Sequence, residues 1–473
     1  MLRRQKVWLA IVVVTNLALW IIPSDVVEQI ARDRHTMLGR YSRPHFTAIV
    51  IVGLVSIASL YVDWAKSGAA YKRRWFQLIA TLLALFPSLA VVDFFLRKEE
   101  DTHYTHEVLA YHRPPNREFN ATFTDQPQAY RSYPNAPAGH GTIDGTLRAD
   151  RRGFRNQTDL ERYDVVAIGD SFTEGSNVSD GDPWPARLAA LSGATVYNMG
   201  MSGYEPLHYL ESLKAHALAL MPRIVICMIY EGNDFRSAKA DEKLLRPDIS
   251  RKIHRYVKQS PLINAFDNFL IQTFGPIRAN APVPGGDILD WMPLSVPSGP
   301  KARHYAFEPK QLRDLMATKE EFAAGKHWLH SRHQLLEMHE LCRANGSRLV
   351  LTYAPTAAHV LMPLVADRVD PEKVRAFAAI SYKGELPPAD EFMTALLERV
   401  EAKQAVVSEW CKRESIPFID LTLALRAAAL EGRQVYYTYD QHWTPIGHEV
   451  VAEKIAAFLR EQPPTGDTTV SSN

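Results

Sequence analysis

The chain is predicted to be an α/β protein, three apolar membrane helices followed by a layered domain whose parallel sheet carries a large insertion. Three observations predict it. Short apolar runs rich in β-branched residues recur between stretches of helical length, which suits buried parallel strands. Long apolar stretches occupy much of the first hundred residues. The run Val165-Val166-Ala167-Ile168 ends directly in Gly169-Asp170-Ser171-Phe172-Thr173-Glu174-Gly175, a strand turning into a helix at a sheet edge. At 473 residues the chain exceeds one ordinary domain of about 100 to 200 residues.

Residues 1–96 form the expected anchor. The spans 7–22, 46–62 and 75–96 each approach the roughly 20 apolar residues that cross about 30 Å of hydrocarbon, and the third is broken only by Gln77, Pro87 and Asp93. Behind Arg3, Arg4 and Lys6 the first span would also suit a cleaved signal peptide. Against cleavage, Ile21-Ile22-Pro23-Ser24-Asp25 lacks a small-x-small site and two spans follow. The basic N-terminus and the loop bearing Lys66, Lys72, Arg73 and Arg74, opposed only by Asp63, belong in the cytoplasm under the positive-inside rule. Three crossings that begin inside end outside. The rest of the chain is therefore expected in the periplasm or on the outer surface of a bacterium, tethered to the inner (cell) membrane.

Composition excludes little else. A formal net charge of +1 offers no concentrated basic surface for nucleic acid. Three cysteines are too few for a disulfide framework. Cys227 lies in an apolar run and reads as a small buried residue. Cys342 and Cys411 could pair outside the cytoplasm, although free thiols are favoured.

Residues 97–162 are polar and turn-rich and read as a juxtamembrane connector with an irregular lead-in. Strands are then expected at 164–168, 194–198, 223–230, 348–353 and 417–421, with helices at 184–192, 207–219, 330–345 and 391–412 between them. Such alternation argues for a layered domain over 163–461 with right-handed crossovers. About 120 residues separate the third strand from the fourth, far beyond an ordinary connection. This insertion, about 236–329 at its core, includes a helical stretch at 251–274 and a Pro-rich stretch at 282–300. A second insertion covers 354–389. Both could shape specificity or merely cover the domain. Residues 462–473 read as a disordered tail.

Two readings of Ser171 stand on the motif alone: a nucleophile raised at the sheet edge, or a helix cap, since Ser and Asp both serve as N-caps. What favours the nucleophile is the placing of other candidates. Behind the second strand comes Asn198-Met199-Gly200-Met201-Ser202-Gly203-Tyr204, behind the third Tyr230-Glu231-Gly232-Asn233-Asp234, and beyond the fifth Tyr439-Asp440-Gln441-His442-Trp443. Ligands of open α/β sheets bind outside the carboxyl ends of the strands, where all four segments should lie.

In this order the four blocks resemble the SGNH hydrolase family, also called GDSL esterases. The resemblance implies a flavodoxin-like three-layer α/β/α domain, with Ser171 as nucleophile. It also implies an oxyanion hole of the Ser171 and Gly203 N–H groups with the Asn233 amide, His442 as base and Asp440 as its partner. The third block departs slightly, because Glu231 stands where the family has its glycine. The last block departs further, since Asp440-x-His442 replaces the usual Asp-x-x-His. Residues i and i+2 share a face only in an extended segment. The Asp-x-His-Trp form resembles the alginate O-acetylation proteins of the same superfamily, and this shifts weight toward polysaccharide acyl chemistry.

The residue types suit that chemistry. A serine hydroxyl needs a base as it attacks, a neutral imidazole serves near pH 7, and a carboxylate on the other ring nitrogen fixes the tautomer. Asp170 and Asp234 are expected to support their turns, and Glu174 to occupy a helix first turn where acids are favoured. Trp443 could stack on a sugar or pack. His448 is expected to pack within the last helix, and neither a metal nor an organic cofactor is expected. The first functional expectation is an extracytoplasmic esterase that removes O-acyl groups, acetyl first, from an acylated carbohydrate of the cell envelope or an exported polysaccharide. A polysaccharide O-acetyltransferase working with an acyl-transfer partner in the membrane is the second. A non-catalytic polysaccharide-binding or assembly subunit of an export machine is the third.

Overall fold

The computed structural model describes residues 3–22, 36–38, 41–65, 67–96, 112–125, 139–235, 260–274, 292–297, 302–382 and 384–461. The chain divides into two compact units, Met1–Glu99 with Ile249–Ala281, and Glu100–Asp248 with Pro282–Asn473.

The first unit holds the helices Arg3–Ile21, Arg43–Asp63, Gly68–Leu96 and Pro261–Phe274. Apolar sequence makes these helices, and sparse polar bridges join them. The Asn16 Nδ2 donates to Ser56 Oγ at 2.8 Å, and the Trp8 indole donates to Ser59 Oγ at 3.3 Å. Such bonds between apolar helices resemble those that join membrane helices. Two stretches, His45–Asp63 and Gly68–Leu96, are long and apolar enough to cross a membrane, and Gln5–Ile21 is a shorter apolar helix. Among the described residues, two of the three expected spans thus reach the full length, and the first is present as a shorter apolar helix.

In the second unit five parallel strands form the sheet: Val165–Gly169, Val196–Gly200, Ile224–Tyr230, Arg348–Ala354 and Phe418–Asp420. In space the order is second, first, third, fourth, fifth, the flavodoxin-like arrangement. Alternation decides which residues face which layer. Val165, Ala167, Ile226, Met228 and Val350 pack toward the helices Trp184–Ser192, Ala357–Val365, Thr422–Leu430 and Pro445–Glu461. Val166, Ile168, Val225, Cys227 and Leu351 pack toward Pro206–Ser212, Lys326–Ala344 and Ala402–Arg413. Both faces are covered, which is why these strands read as unbroken apolar runs. The order changes direction between the first and third strands, so the loops after Gly169 and Tyr230 flank the switch point where ligands collect.

Several elements differ from expectation. The lead-in contains an antiparallel hairpin, Arg117–Thr124 against Thr142–Ala149. A second hairpin, Met292–Val296 against Arg303–Phe307, lies within the first insertion. Helix 207–219 is helical only over Pro206–Ser212 before a π turn and a 3₁₀ turn. Of the stretch 251–274, the helix Pro261–Phe274 is described; residues 251–259, the connector start 97–111 and the tail 462–473 lie outside the described residues. The three cysteines are buried free thiols.

The expected helix 391–412 is two, Ala389–Arg399 and Ala402–Arg413, broken at Val400 and Glu401. There Glu401 accepts from His359 Nε2 at 3.1 Å and from Arg426 at 2.9 Å. On the other side of the ring, His359 Nδ1 donates to Glu231 Oε2 at 3.0 Å. With both nitrogens facing carboxylates, the fully buried ring is held as imidazolium. Burial presses it down, the two glutamates outweigh this, and its pKa rises to about 9. Burial likewise presses Glu231 up, yet His359 brings it to about 2.

A raised folded pKa means that this imidazolium stabilises fully below its ordinary 6.5 and that the contribution is lost as pH rises through about 9. The wild-type unfolding midpoint in denaturant should therefore fall across that window. His359→Gln should be less stable at the lower end and show a flatter slope; parallel slopes would contradict the assignment.

Candidate active site

The nucleophile turn is built by close backbone packing. Gly169 ends the first strand against the Thr173 side chain, where a Cβ would lie 2.1 Å from Thr173 Oγ1. Gly200, ending the second strand, is as tight: its Cβ would lie 2.1 Å from the Glu174 nitrogen. Asp170 caps the four-residue helix Ser171–Glu174, its Oδ1 accepting the Phe172 N–H at 2.9 Å. The capping role therefore belongs to Asp170, and the Ser171 hydroxyl is left for another partner.

That partner is His442. Its Nε2 lies 2.8 Å from Ser171 Oγ, and its Nδ1 lies 2.6 Å from Asp440 Oδ1. Asp440 Oδ1 also accepts the His442 backbone N–H at 2.8 Å. One carboxylate oxygen thus closes an Asx-type turn and orients the ring, which is how an Asp-x-His spacing works without the extended segment expected from it. The turn is the tip of a narrow hairpin in which Tyr436 bridges Trp443 and the Tyr437 N–H donates to the His442 carbonyl at 3.1 Å.

A residue that sequence reasoning missed holds this tip from below. The buried Asp125, just after the first strand of the lead-in hairpin, accepts the Tyr439 and Asp440 N–H groups at 3.0 Å each on Oδ1. Its Oδ2 accepts the Thr438 and His140 N–H groups at 2.8 Å each. Three successive loop amides around one carboxylate make a backbone nest. Nothing local in Phe123-Thr124-Asp125 signals this role, since the tip amides it holds lie more than three hundred residues along the chain.

Two further carboxylates hold the other loops. Glu174 lies in the first turn of the nucleophile helix, as expected, and is buried there in an ion pair with Arg113 Nε at 2.5 Å. Its other oxygen accepts the Ser202 N–H at 3.2 Å and the Ser202 hydroxyl. This fixes the loop of Gly203, whose φ of +81° suits glycine. In the third block Asn233 Nδ2 donates to Asp170 Oδ2 at 3.0 Å. Asp234 supports the same loop, accepting the Tyr230 N–H at 2.8 Å and the Tyr209 hydroxyl at 3.0 Å. Glu231 points the other way, to His359 and to the Thr356 N–H at 2.9 Å.

The titration follows from these contacts. Burial presses His442 down, but the Asp440 carboxylate and its hydrogen bond, with Asp170 and Glu174, leave its pKa above the ordinary imidazole value. Asp440 is held below the ordinary carboxylate range, because His442 outweighs the cost of burial. Burial pushes Asp170 up to about 6 against its bonds from Phe172 and Asn233. Trp443 is wholly buried, edge-on to Phe172 with ring centroids 4.8 Å apart, so it packs and cannot stack on a sugar. His448 is also buried, its Nδ1 accepting the Trp184 N–H at 3.3 Å. Among the described residues no group of three His, Cys, Asp or Glu side chains converges to hold a metal ion.

Residues 364–471, which include the Asp440–His442 tip, match the family model described as the SGNH hydrolase-like domain of acetyltransferase AlgX. No curated protein matches the chain. Solved structures similar to it include a lipolytic protein of the G-D-S-L family from Desulfitobacterium hafniense DCB-2, with 16% identity over 62% of this chain and 97% of that one, TM-score 0.29. A mutant of Axe2, an acetyl-xylooligosaccharide esterase from Geobacillus Stearmophilus, has 13% identity over 63% and 92%, TM-score 0.31. The resemblance read from the motifs thus meets, over residues 364–471, a family model described as SGNH hydrolase-like, and the geometry sets a base within hydrogen-bond reach of a serine hydroxyl, with a carboxylate behind it.

Asp440→Asn keeps the shape but removes the charge that raises His442. Its acid limb of activity should move to lower pH and kcat should fall by about 10³- to 10⁴-fold; a pH–rate profile with an unmoved limb would contradict the assignment. Asp125→Asn turns a donor toward amides that need an acceptor. It should cost about 1 to 3 kcal/mol in denaturant unfolding and lower kcat more than it raises KM.

Proposed function

We propose that the chain is a membrane-anchored extracytoplasmic serine esterase that removes O-acyl groups, acetyl by preference, from a cell-envelope or exported polysaccharide. The observation that carries the chemistry is the unbroken line from Asp440 through His442 to Ser171, at 2.6 and 2.8 Å. In this reading His442 Nε2 takes the hydroxyl proton as Ser171 Oγ adds to the acyl carbonyl. The Ser171 and Gly203 N–H groups and the second N–H of the Asn233 amide face the new oxyanion, one such donor being worth about 3 to 4 kcal/mol. Collapse breaks the bond to the sugar oxygen, which takes the proton from His442. Water, deprotonated by the same imidazole, then attacks the acyl-serine and frees the acid.

The acetyl group is inferred from the family model matching residues 364–471, which carries the description of an acetyltransferase, and the polymer from the Asp-x-His-Trp form of the last block. The same description favours a second reading, in which a sugar hydroxyl replaces water in the second step and a membrane partner supplies the acyl donor. The two apolar stretches long enough to span support anchoring, and the basic residues at the N-terminus and at Lys72, Arg73 and Arg74 support an outward catalytic unit. A purely binding subunit has no need for a base set 2.8 Å from a serine hydroxyl.

The full chain in detergent, given an acetylated polysaccharide, should release acetate, and Ser171→Ala should lose this by several orders of magnitude. Acetyl recovered on an added oligosaccharide with little free acetate would select the transferase. Equal acetate release by wild type and Ser171→Ala would refute both.

A further inference from the structure

We propose that the helix Pro261–Phe274, part of the long insertion between the third and fourth strands, lies in the extracytoplasmic membrane–water interface with Ile263, Phe266 and Phe269 against lipid, pinned there by Asp93. The inference rests on the anchor reading above and adds an element of the catalytic half's own sequence to the anchor.

The helix belongs to the same compact unit as the apolar helices. Asp93 is the one acidic residue in Gly68–Leu96, and it sits one turn from that helix's end. A charge inside hydrocarbon is costly and is tolerated where it has partners. Here the buried Asp93 Oδ1 accepts the Ser260 hydroxyl at 2.5 Å and the Leu262 N–H at 3.2 Å. Ser260 Oγ in turn accepts the Ile263 N–H at 3.1 Å. A serine cap and an anion together satisfy N–H groups that a helix start leaves open, and the negative charge meets the positive end of the helix dipole. The third apolar helix is thereby joined to the start of Pro261–Phe274 close to its own outer end.

From that point the helix shows an apolar face that stands exposed among the described residues. Ile263, Phe266 and Phe269 are 43%, 49% and 57% exposed, and residues three apart are neighbours on a helix surface. Beside Asp93, Phe94, Phe95 and Leu96 are more than half exposed as well. These are the outermost residues of a span whose apolar sides meet lipid, so the medium that covers them is available to the helix they hold. Length excludes a further crossing: 14 residues reach about 21 Å, short of the roughly 30 Å of hydrocarbon. An apolar-faced helix too short to span lies in the interface, sunk about 5 to 10 Å.

The full chain is reconstituted in phosphatidylethanolamine–phosphatidylglycerol vesicles with an environment-sensitive fluorophore on Phe266→Cys, the native cysteines being buried. Leu83→Cys, exposed in the middle of the third apolar helix, reports on the anchor, and Leu423→Cys, exposed on the catalytic unit, reports on water. The Phe266 label should be quenched by shallow doxyl lipids severalfold more than by aqueous iodide, the Leu83 label by deep doxyl lipids, and the Leu423 label by iodide. Adding Asp93→Ala should raise iodide access at position 266 severalfold, and Phe269→Cys should repeat the result where the first variant folds poorly. Iodide quenching at position 266 equal to that at 423 would overturn the inference while leaving the anchor intact, and quenching by neither agent would overturn it in favour of a protein cover. A Leu83 label open to iodide would bring down the anchor reading and this inference together.

Discussion

The site depends on buried carboxylates that gather backbone N–H groups. Asp125 holds the tip carrying Asp440 and His442, Glu174 holds the loop of Gly203, and Asp170 caps the Ser171 helix while binding Asn233. A loop amide left unpaired in a buried place costs about 1 to 3 kcal/mol, so each acid defines one loop conformation at the exclusion of others. Catalysis needs that definition, because His442 must stay within hydrogen-bond reach of a hydroxyl on a different element. The scaffold supplies rigid strand ends, and the acids fix what leaves them.

The same acids set the charge state of the base. Asp440, Asp170 and Glu174 all favour the protonated ring of His442, and burial opposes them. The imidazolium that forms as Ser171 attacks is thereby stabilised, at the expense of a resting base that is neutral only at somewhat higher pH than a free imidazole. His359 shows the contrasting use of the same parts: both of its nitrogens are committed to carboxylates, so it holds structure and cannot exchange a proton with substrate.

Much of this was legible in the chain. Five apolar runs gave the strands to within two residues, because strands covered on both faces have no polar side to blur the pattern. Ser171 and Asn233 were legible because turn chemistry confines them to strand ends, and Asp440 and His442 because their block stands just ahead of the last helix. The supports were not. Asp125, Arg113 and His359 act on partners far along the chain, and an acid in a polar stretch looks the same whether it faces solvent or a nest of amides. The break at Glu401 was hidden for a like reason, since residues 391–412 have helical composition throughout and the partners that Glu401 meets at the break, His359 and Arg426, lie elsewhere in the chain. Trp443 could be settled only by its burial.

The account stands on Ser171 becoming acylated, and mass spectrometry reads this directly. The full chain is mixed with an activated acetyl ester, quenched in acid within a turnover and digested. One acetyl group should appear on the peptide carrying Ser171, accumulate when Asp440 is replaced by Asn because deacylation slows, and be absent from Ser171→Ala. Turnover of the ester with no acetyl on Ser171 at any quench time, or with the acetyl on another residue, would contradict the account.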